Sequence, residues 1–354
     1  MSNYRFVEEL FSYDKLVGNH NYQFVAFVYS TWHLDNVMAN MRINDFDHGL
    51  IVVLPSSTRR FIDENFQHPF LDKCDIIEIG RYAVKSCYKN LLRFFKSKRE
   101  STITIFCSLG LDIRLLLSLP LGLKNVRYII YDEGTGSYCS PYYLKRDRYR
   151  SSLYAYINIY LKEVFKTIVA CLVDISIERS LLFNIFNKRY APNLNLVNKL
   201  RTVYENYIPV NLNIPINSNS VVFFIDLANN NQEFYKKIFD QFGSSKVLYV
   251  KLHPSHNDTS FLDFIKKYNC IIIPHTISGE YAISLIKPRY ILGGLSTVLY
   301  SSSVIYETTV ISLFNLYVLN NFIEEDTIYS KLNKTIGNNL IIVKNIDEIS
   351  TLIK

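Results

Sequence analysis

No pair of cysteines in this chain is spaced to close a disulfide framework or to hold a metal. The six, Cys74, Cys87, Cys107, Cys139, Cys171 and Cys270, are scattered, with no CxxC pair and no Cys/His cluster at ligand spacing. That excludes a disulfide scaffold or zinc module and reads as reduced thiols in a cytoplasmic protein. The first twenty residues lack a basic segment followed by an apolar one, so no signal peptide is expected. The apolar stretch nearest to membrane length, Val164 to Ile177, is interrupted by Lys166 and Asp174 and is too short to span. A soluble protein is expected, at most peripheral to a membrane. Repeats of 20 to 50 residues are also missing, which excludes a solenoid or propeller. Charge is not concentrated: 39 Lys+Arg against 32 Asp+Glu give +7, spread along the chain apart from clusters such as Lys96 to Arg99 and Lys145 to Arg148. Acidic small ligands or an anionic surface fit that balance, whereas a nucleic-acid partner would require a basic face or a recognisable module.

What is present is enough apolar material, 49% of 354 residues, for two cores. Short apolar runs alternate with longer amphipathic ones, the signature of parallel sheets covered by helices. Strands are expected at 22–30, 49–55, 75–80, 102–108 and 126–132, with helices at 82–99 and about 150–173. The stretch 187–220, rich in Asn and Pro, reads as a connection. The rhythm then restarts with strands at 221–226, 246–253, 270–275, 289–294 and 309–314. The expected organisation is an α/β chain of two Rossmann-like domains facing across a cleft, the GT-B arrangement. Its parts would be an N-terminal α/β domain over 1–190, a linker over 191–219 and a C-terminal α/β domain over 220–354.

Open α/β sheets bind ligands at the carboxyl ends of their strands, so the residues that break each apolar run are the candidates. The run Tyr128 to Tyr131 breaks into Asp132-Glu133-Gly134. Either one acid is a general base held by a tight glycine turn, or the motif is a strand-ending turn with solvated acids. In Lys251 to Ser255, Pro254 directly follows His253 and restricts it to extended backbone. An imidazole there can donate to a phosphate oxygen, or it is incidental to a helix start. Ser278 with Glu280, and Gly293-Gly294-Leu295-Ser296-Thr297, each place a hydroxyl before an apolar helical run. Such starts are ordinary caps taken singly, but they also present free N–H groups to an anion. Trp32 and His33 follow the first strand and suit either a helix start or an acceptor site.

The ordered set of an acid pair with Gly, then His-Pro, Ser-x-Glu and Ser-Thr, resembles the bacterial sialyltransferases that share a (D/E)(D/E)G motif, an HP motif and an S(S/T) motif. That group includes the capsular polysialyltransferases; "YDEGTGSY" looks most like the lipooligosaccharide sialyltransferases of glycosyltransferase family 52, and the spacing between His253, Ser278, Glu280 and Thr297 is similar to that of the Pasteurella-type enzymes. The resemblance covers roughly 126–138 and 246–302. It implies that Asp132 takes the proton of an acceptor hydroxyl, with Glu133 supporting it and Gly134 shaping the turn. It further implies that His253 stabilises the leaving phosphate, Pro254 packs beside cytosine, Glu280 accepts from the ribose hydroxyls, and Ser278, Ser296 and Thr297 bind phosphate. The donor would be CMP-sialic acid and the acceptor a galactose-terminated glycan of lipooligosaccharide or capsule. With a single phosphate on the donor, no metal or cofactor is required. Rival readings are a transferase of another nucleotide sugar, such as a Kdo-type one, a polysialyltransferase, or a glycan-binding protein without turnover. Neither the linkage nor the oligomeric state follows from the sequence.

Overall fold

The computed structural model describes residues 22–54, 68, 70–78, 102–108, 126–132, 134, 138, 176–186, 189–206, 215–226, 231–242, 246–253, 259–274, 277–306, 308–325, 327, 329–330, 332–333 and 340–353. The expected helices at 82–99 and 150–173, and the candidates Glu133 and Pro254, lie outside them. So do Cys87, Cys139 and Cys171; Cys74, Cys107 and Cys270 are free thiols.

The chain divides into two compact units that meet in sequence between Leu181 and Leu182. In the first, β1 (Phe24–Val28), β2 (Gly49–Val53), β3 (Cys74–Glu78), β4 (Ile103–Cys107), β5 (Val126–Tyr131) and β6 (Ser176–Ser180) form one sheet. Every pairing in it is parallel and its order is β3-β2-β1-β4-β5-β6. Residues 24–28, 50–52 and 105–106 are almost wholly buried, as expected where strands are covered on both faces and read as unbroken apolar runs. Helix α1 (Thr31–Ile43) starts at Ser30, whose hydroxyl accepts from the His33 N–H. Polar residues of α1 are buried too: Asp35 meets His68 Nε2 at 2.8 Å, and Asn36 and Asn40 donate back to the carbonyls of Trp32 and Asn36.

The second unit opens with the antiparallel hairpin β7 (Phe183–Phe186) and β8 (Arg189–Pro192), then α2 (Leu194–Glu205). Its sheet comprises β9 (Ser220–Ile225), β10 (Val247–Leu252), β11 (Ile271–Ile272), β12 (Tyr290–Gly293), β13 (Thr309–Ser312) and β14 (Leu340–Ile342). The helices are α3 (Gln232–Phe239), α4 (Thr259–Lys266), α5 (Gly279–Ile286), α6 (Thr297–Ile305), α7 (Phe314–Leu319) and α8 (Asp347–Leu352). The order β11-β10-β9-β12-β13-β14, again all parallel, repeats that of the first sheet. Both are the doubly wound nucleotide-binding order, and two such Rossmann-like units in tandem are the make-up of a GT-B chain. The second core is aromatic: Phe223 packs among Tyr235, Phe239 and Phe242, and Phe234 packs edge-on to Tyr317 and Phe322. Each such fully buried ring contributes about 1.5–3 kcal/mol.

The stretch taken for a linker holds regular structure. Helix α2 begins at Asn193, whose side chain accepts from the Leu196 N–H. It buries Leu196, Val197, Leu200, Val203 and Tyr204, a 3.6-residue stripe that the many Asn residues mask in the sequence. The stripe packs on α5 and α6, and Arg201 Nε and Nη2 donate to the Ile305 carbonyl at 3.1 and 2.8 Å. Leu200→Ala is therefore expected to destabilise the protein by about 2–5 kcal/mol. Leu194→Ala, at a residue 69% exposed, should stay within about 0.5 kcal/mol. Urea unfolding of both variants measures the difference; equal, small effects would mean that this segment is a connection after all.

Candidate functional site

The switch point of the second sheet lies between β9 and β12, where neighbouring strands lead in opposite directions and leave a crevice at their carboxyl ends. On the β9 side the chain leaves the sheet through Asp226, which is 6% exposed. On the β12 side it leaves through Gly293 and Gly294. Asp226 Oδ2 accepts from the Leu295 N–H at 3.2 Å, and the Tyr317 hydroxyl also bonds to this carboxylate. Tyr317 in turn shares a 3.1 Å bond with the Tyr235 hydroxyl. Burial and the Tyr235 and Asp226 neighbours push the Tyr317 hydroxyl well above its ordinary pKa. A Cβ at Gly294 would stand 2.2 Å from the Tyr317 ring and 2.7 Å from Asp226 Oδ2. Only glycine lets the turn close over that pair.

This turn delivers Ser296 and Thr297 to the start of α6. Ser296 holds the cap position, yet its side chain makes no capping hydrogen bond, so its hydroxyl is not committed to the helix. Helix α5 starts alongside: the Cβ position of Gly279 lies 2.9 Å from both the Phe224 ring and Val298, which seats the first turn of α5 against β9 and the first turn of α6. Ser278 caps α5 by accepting from the Tyr281 N–H at 3.1 Å. Glu280, 5% exposed, accepts from the Ser301 hydroxyl at 2.8 Å. The structure therefore brings together Ser278, Glu280, Ser296 and Thr297. Two adjacent helix N-termini concentrate free N–H groups and positive dipole ends, a setting for an anion.

His253 follows β10, the strand beside β9, and its N–H extends the parallel ladder by donating to the Ile225 carbonyl at 2.9 Å. The residue is exposed, at the same sheet edge as the two helix starts. Two residues earlier Lys251 is buried, 6% exposed, and its Nζ donates to the Pro274 carbonyl at 3.1 Å. Burial pushes the Lys251 pKa down to about 8, against the opposing pull of Glu280.

In the first unit Asp132 follows β5 and is 1% exposed. Its Oδ1 accepts from the Gly134 N–H at 2.6 Å, and Oδ2 accepts from the Tyr138 hydroxyl. Gly134 has φ 102°, a conformation that a residue with a Cβ rarely adopts. The acid at this strand end is thus fixed by its own turn rather than solvated. His33 packs against Tyr131, the residue before Asp132, with ring centroids 5.2 Å apart, and its Nδ1 accepts from the Tyr29 N–H at 3.2 Å. That bond places the ring proton on Nε2. Trp32 is buried in α1.

Sequence reasoning missed Asp226, Tyr317, Lys251 and Tyr138 as parts of these sites. Two of them carried a signal: an aspartate closes the apolar run of β9, and a single lysine interrupts that of β10. Asp45-Phe46-Asp47 has the D-x-D form of metal-dependent transferases, but it precedes β2 at the opposite edge of the first sheet, and Asp47 pairs with Lys73 at 3.4 Å. Among the described residues no group of three or more His, Cys, Asp or Glu could hold a metal ion, and no helix is long and apolar enough to cross a membrane.

No protein-family description matches the sequence, and no curated protein is significantly similar to it. Among solved structures, the chain is similar to a UDP-N-acetylglucosamine 2-epimerase, at 12% identity and a TM-score of 0.49 over 94% of each chain. It is also similar to a wall teichoic acid polymerase, at 12% identity and a TM-score of 0.41 over 93% of this chain and 80% of that one. A third is a glycosyltransferase of avilamycin A biosynthesis, at 10% identity and a TM-score of 0.40 over 94% and 88%. The two strand orders, rather than these likenesses, define the fold.

Two outcomes are expected. Gly294→Ala should cost about 1–3 kcal/mol through overpacking against Tyr317 and Asp226, read as a lowered urea midpoint; an unchanged midpoint would contradict the close approach. Lys251 carries a folded-state pKa of about 8 against 10.5 when unfolded. Between those values the unfolded chain binds the extra proton, so this group makes stability rise with pH there, and its burial cost is full below pH 8. The stability of the wild type minus that of Lys251→Met should therefore climb from about pH 8 to about pH 9.5, a difference in which the buried tyrosines cancel. A flat difference would mean that Lys251 titrates as an exposed lysine.

Proposed function

We propose that this chain is an inverting, metal-independent sialyltransferase. It moves sialic acid from CMP-sialic acid to a hydroxyl of a terminal sugar, a galactose, on bacterial lipooligosaccharide or capsular glycan, working in the cytoplasm or at the inner membrane face. The observation that carries the reading is the carboxyl edge of the second sheet. There Ser278, Glu280, Ser296 and Thr297 sit on two helix starts packed against each other, and His253 follows a neighbouring strand. A nucleotide with one phosphate matches this set: N–H groups and the Ser296 hydroxyl for the phosphate, and a carboxylate for the ribose hydroxyls.

In the reaction, the bond between the sialic acid anomeric carbon and the phosphate oxygen breaks, and its electron pair leaves with CMP. Charge grows on that phosphate, where His253 donates a hydrogen bond and the helix N-termini add positive potential. The acceptor hydroxyl oxygen bonds to the opposite face of the anomeric carbon, which inverts the configuration. Its proton passes to Asp132. The Gly134 N–H and the Tyr138 hydroxyl fix the orientation of that carboxylate, so that it meets the acceptor without a rotamer search. No step needs a metal, because the leaving group carries a single phosphate.

The test is mass analysis of products from CMP-sialic acid with a panel of galactose- and sialic-acid-terminated acceptors. Transfer of one sialic acid to a galactose-terminated acceptor is expected. His253→Ala should lower kcat about 10²- to 10³-fold, and Asp132→Asn about 10²- to 10⁴-fold. Absence of both transfer and donor hydrolysis, in protein shown to be folded, would sink the proposal; turnover of a different nucleotide sugar would move it to another transferase.

A further inference from the structure

A cavity of about 530 Å³ lies at the amino edge of the second sheet, away from the strand ends that carry the candidate residues. The C-terminal ends of three helices line it: Arg201 and Glu205 from α2, Ser284 and the cap residue Lys287 from α5, and Ile305 from α6, with Thr308 just before β13. Tyr306 adds a wall that is fixed in advance, because its hydroxyl donates to the Glu280 carbonyl at 2.9 Å. Glu205 is the last residue of α2, where the helix dipole disfavours a carboxylate. Arg201, one turn earlier on the same face, directs Nε and Nη2 to the Ile305 carbonyl at 3.1 and 2.8 Å instead of to Glu205. Among the described residues no cation pairs with Glu205, no carboxylate pairs with Lys287, and the Ser284 and Thr308 hydroxyls form no hydrogen bond. Glu205 and Lys287 are exposed and Arg201 is half-buried, so all three charges are open to a solute.

We propose that this cavity is a second small-molecule site whose ligand is a zwitterionic sugar phosphate, with a primary ammonium and a phosphate on a hydroxylated ring. The lining charges sort by sign. Arg201 and Lys287 together match a phosphate dianion better than a single carboxylate, and the guanidinium nitrogen not engaged with Ile305 is left to bond a phosphate oxygen. Glu205 and the carbonyl end of α2 favour an ammonium, which relieves the unfavourable placement of that carboxylate. The Ser284 and Thr308 hydroxyls can each donate and accept, as ring hydroxyls require. Ile283, Pro288 and Ile305 give an apolar surface for the ring itself, and a volume of about 530 Å³ lies within the range of small-molecule pockets. None of these side chains belongs to the candidate site at the carboxyl edge, so the inference stands independently of the activity proposed above.

The experiment is calorimetric titration of the full chain, at about pH 7, with three probes: glucosamine 6-phosphate, N-acetylglucosamine 6-phosphate, which lacks the ammonium, and glucosamine, which lacks the phosphate. The wild type should bind glucosamine 6-phosphate about five- to tenfold more tightly than the N-acetyl probe, a gain between that of an exposed ion pair and that of a hydrogen bond to a charged group. Glucosamine should bind most weakly. Glu205→Gln should abolish the preference for the ammonium while leaving affinity for the N-acetyl probe within about twofold. Lys287→Gln should weaken both phosphates alike and keep the preference. Both side chains are exposed, so these variants are expected to fold as the wild type does. A wild type that binds none of the probes overturns the inference, as does one that binds glucosamine as tightly as its 6-phosphate or fails to distinguish the two phosphates. A Glu205→Gln variant that retains the preference overturns it as well, since the ammonium then lies elsewhere, and so does unchanged phosphate affinity in Lys287→Gln.

Discussion

The carboxyl edge of the second sheet depends on one hydrogen bond, from the Leu295 N–H to Asp226. Parallel strands leave their last carbonyls and the loops that follow without mutual pairing, so a crevice at a switch point needs some device to fix its lips. Here the acid at the end of β9 grips the turn at the end of β12. Tyr317 and Tyr235 back it from within the aromatic core. Loss of that grip would release the Gly294 turn, and with it the start of α6, the seat of α5 against Val298 and the Ser301 bond to Glu280. The motif residues are thus held less by contacts with one another than by a carboxylate that no motif contains.

The two units solve the problem of a buried acid differently. Asp132 is satisfied within its own turn, by the Gly134 N–H and the Tyr138 hydroxyl, so these partners come from chain that directly follows it. Glu280 accepts from a residue far away in sequence, Ser301 on α6. The local solution lets the surroundings of the first acid change without disturbing the sheet. The distributed one ties the first turn of α5 to α6.

Strand positions were legible because buried parallel strands are written as unbroken apolar runs, and nearly all the expected runs begin or end within a residue or two of a real strand. Other elements were hidden for identifiable reasons. Helix α2 disguised its stripe with asparagines, whose poor helix propensity is offset by packing of Leu196, Leu200 and Val203 on α5 and α6. Strand β6 contains Glu178 and Arg179 and so breaks the apolar pattern; Glu178 is satisfied by a two-bond pairing with Arg127 on β5, at 2.9 and 2.6 Å. For the candidate residues, the placement at strand ends was readable, because His-Pro and Ser-Thr after apolar runs are local patterns. Asp226 and Lys251 left a mark in the runs of β9 and β10, but what they touch, like the partners of Tyr317, arises only when distant segments are brought side by side.

Identical strand order does not make the two edges equivalent. At the second switch point the chain presents two helix starts with N–H groups and an uncommitted Ser296 hydroxyl, which suits a phosphate. At the first, the helix after β1 begins with its cap already occupied by Ser30 and buries Trp32 and His33 in its first turn. Its acid, Asp132, stands after β5, one strand beyond the switch pair β1 and β4. A carboxylate repels a phosphate at close range by about 1–4 kcal/mol, depending on local dielectric, so an acid after β5 disfavours at the first edge the kind of ligand that two helix N-termini favour at the second. The asymmetry is one of chemistry: an acid fixed at a strand end in one sheet, and paired helix starts at the strand ends of the other. Duplicated topology supplies the two edges, and the residues after β5, β9, β10 and β12 make them chemically opposite.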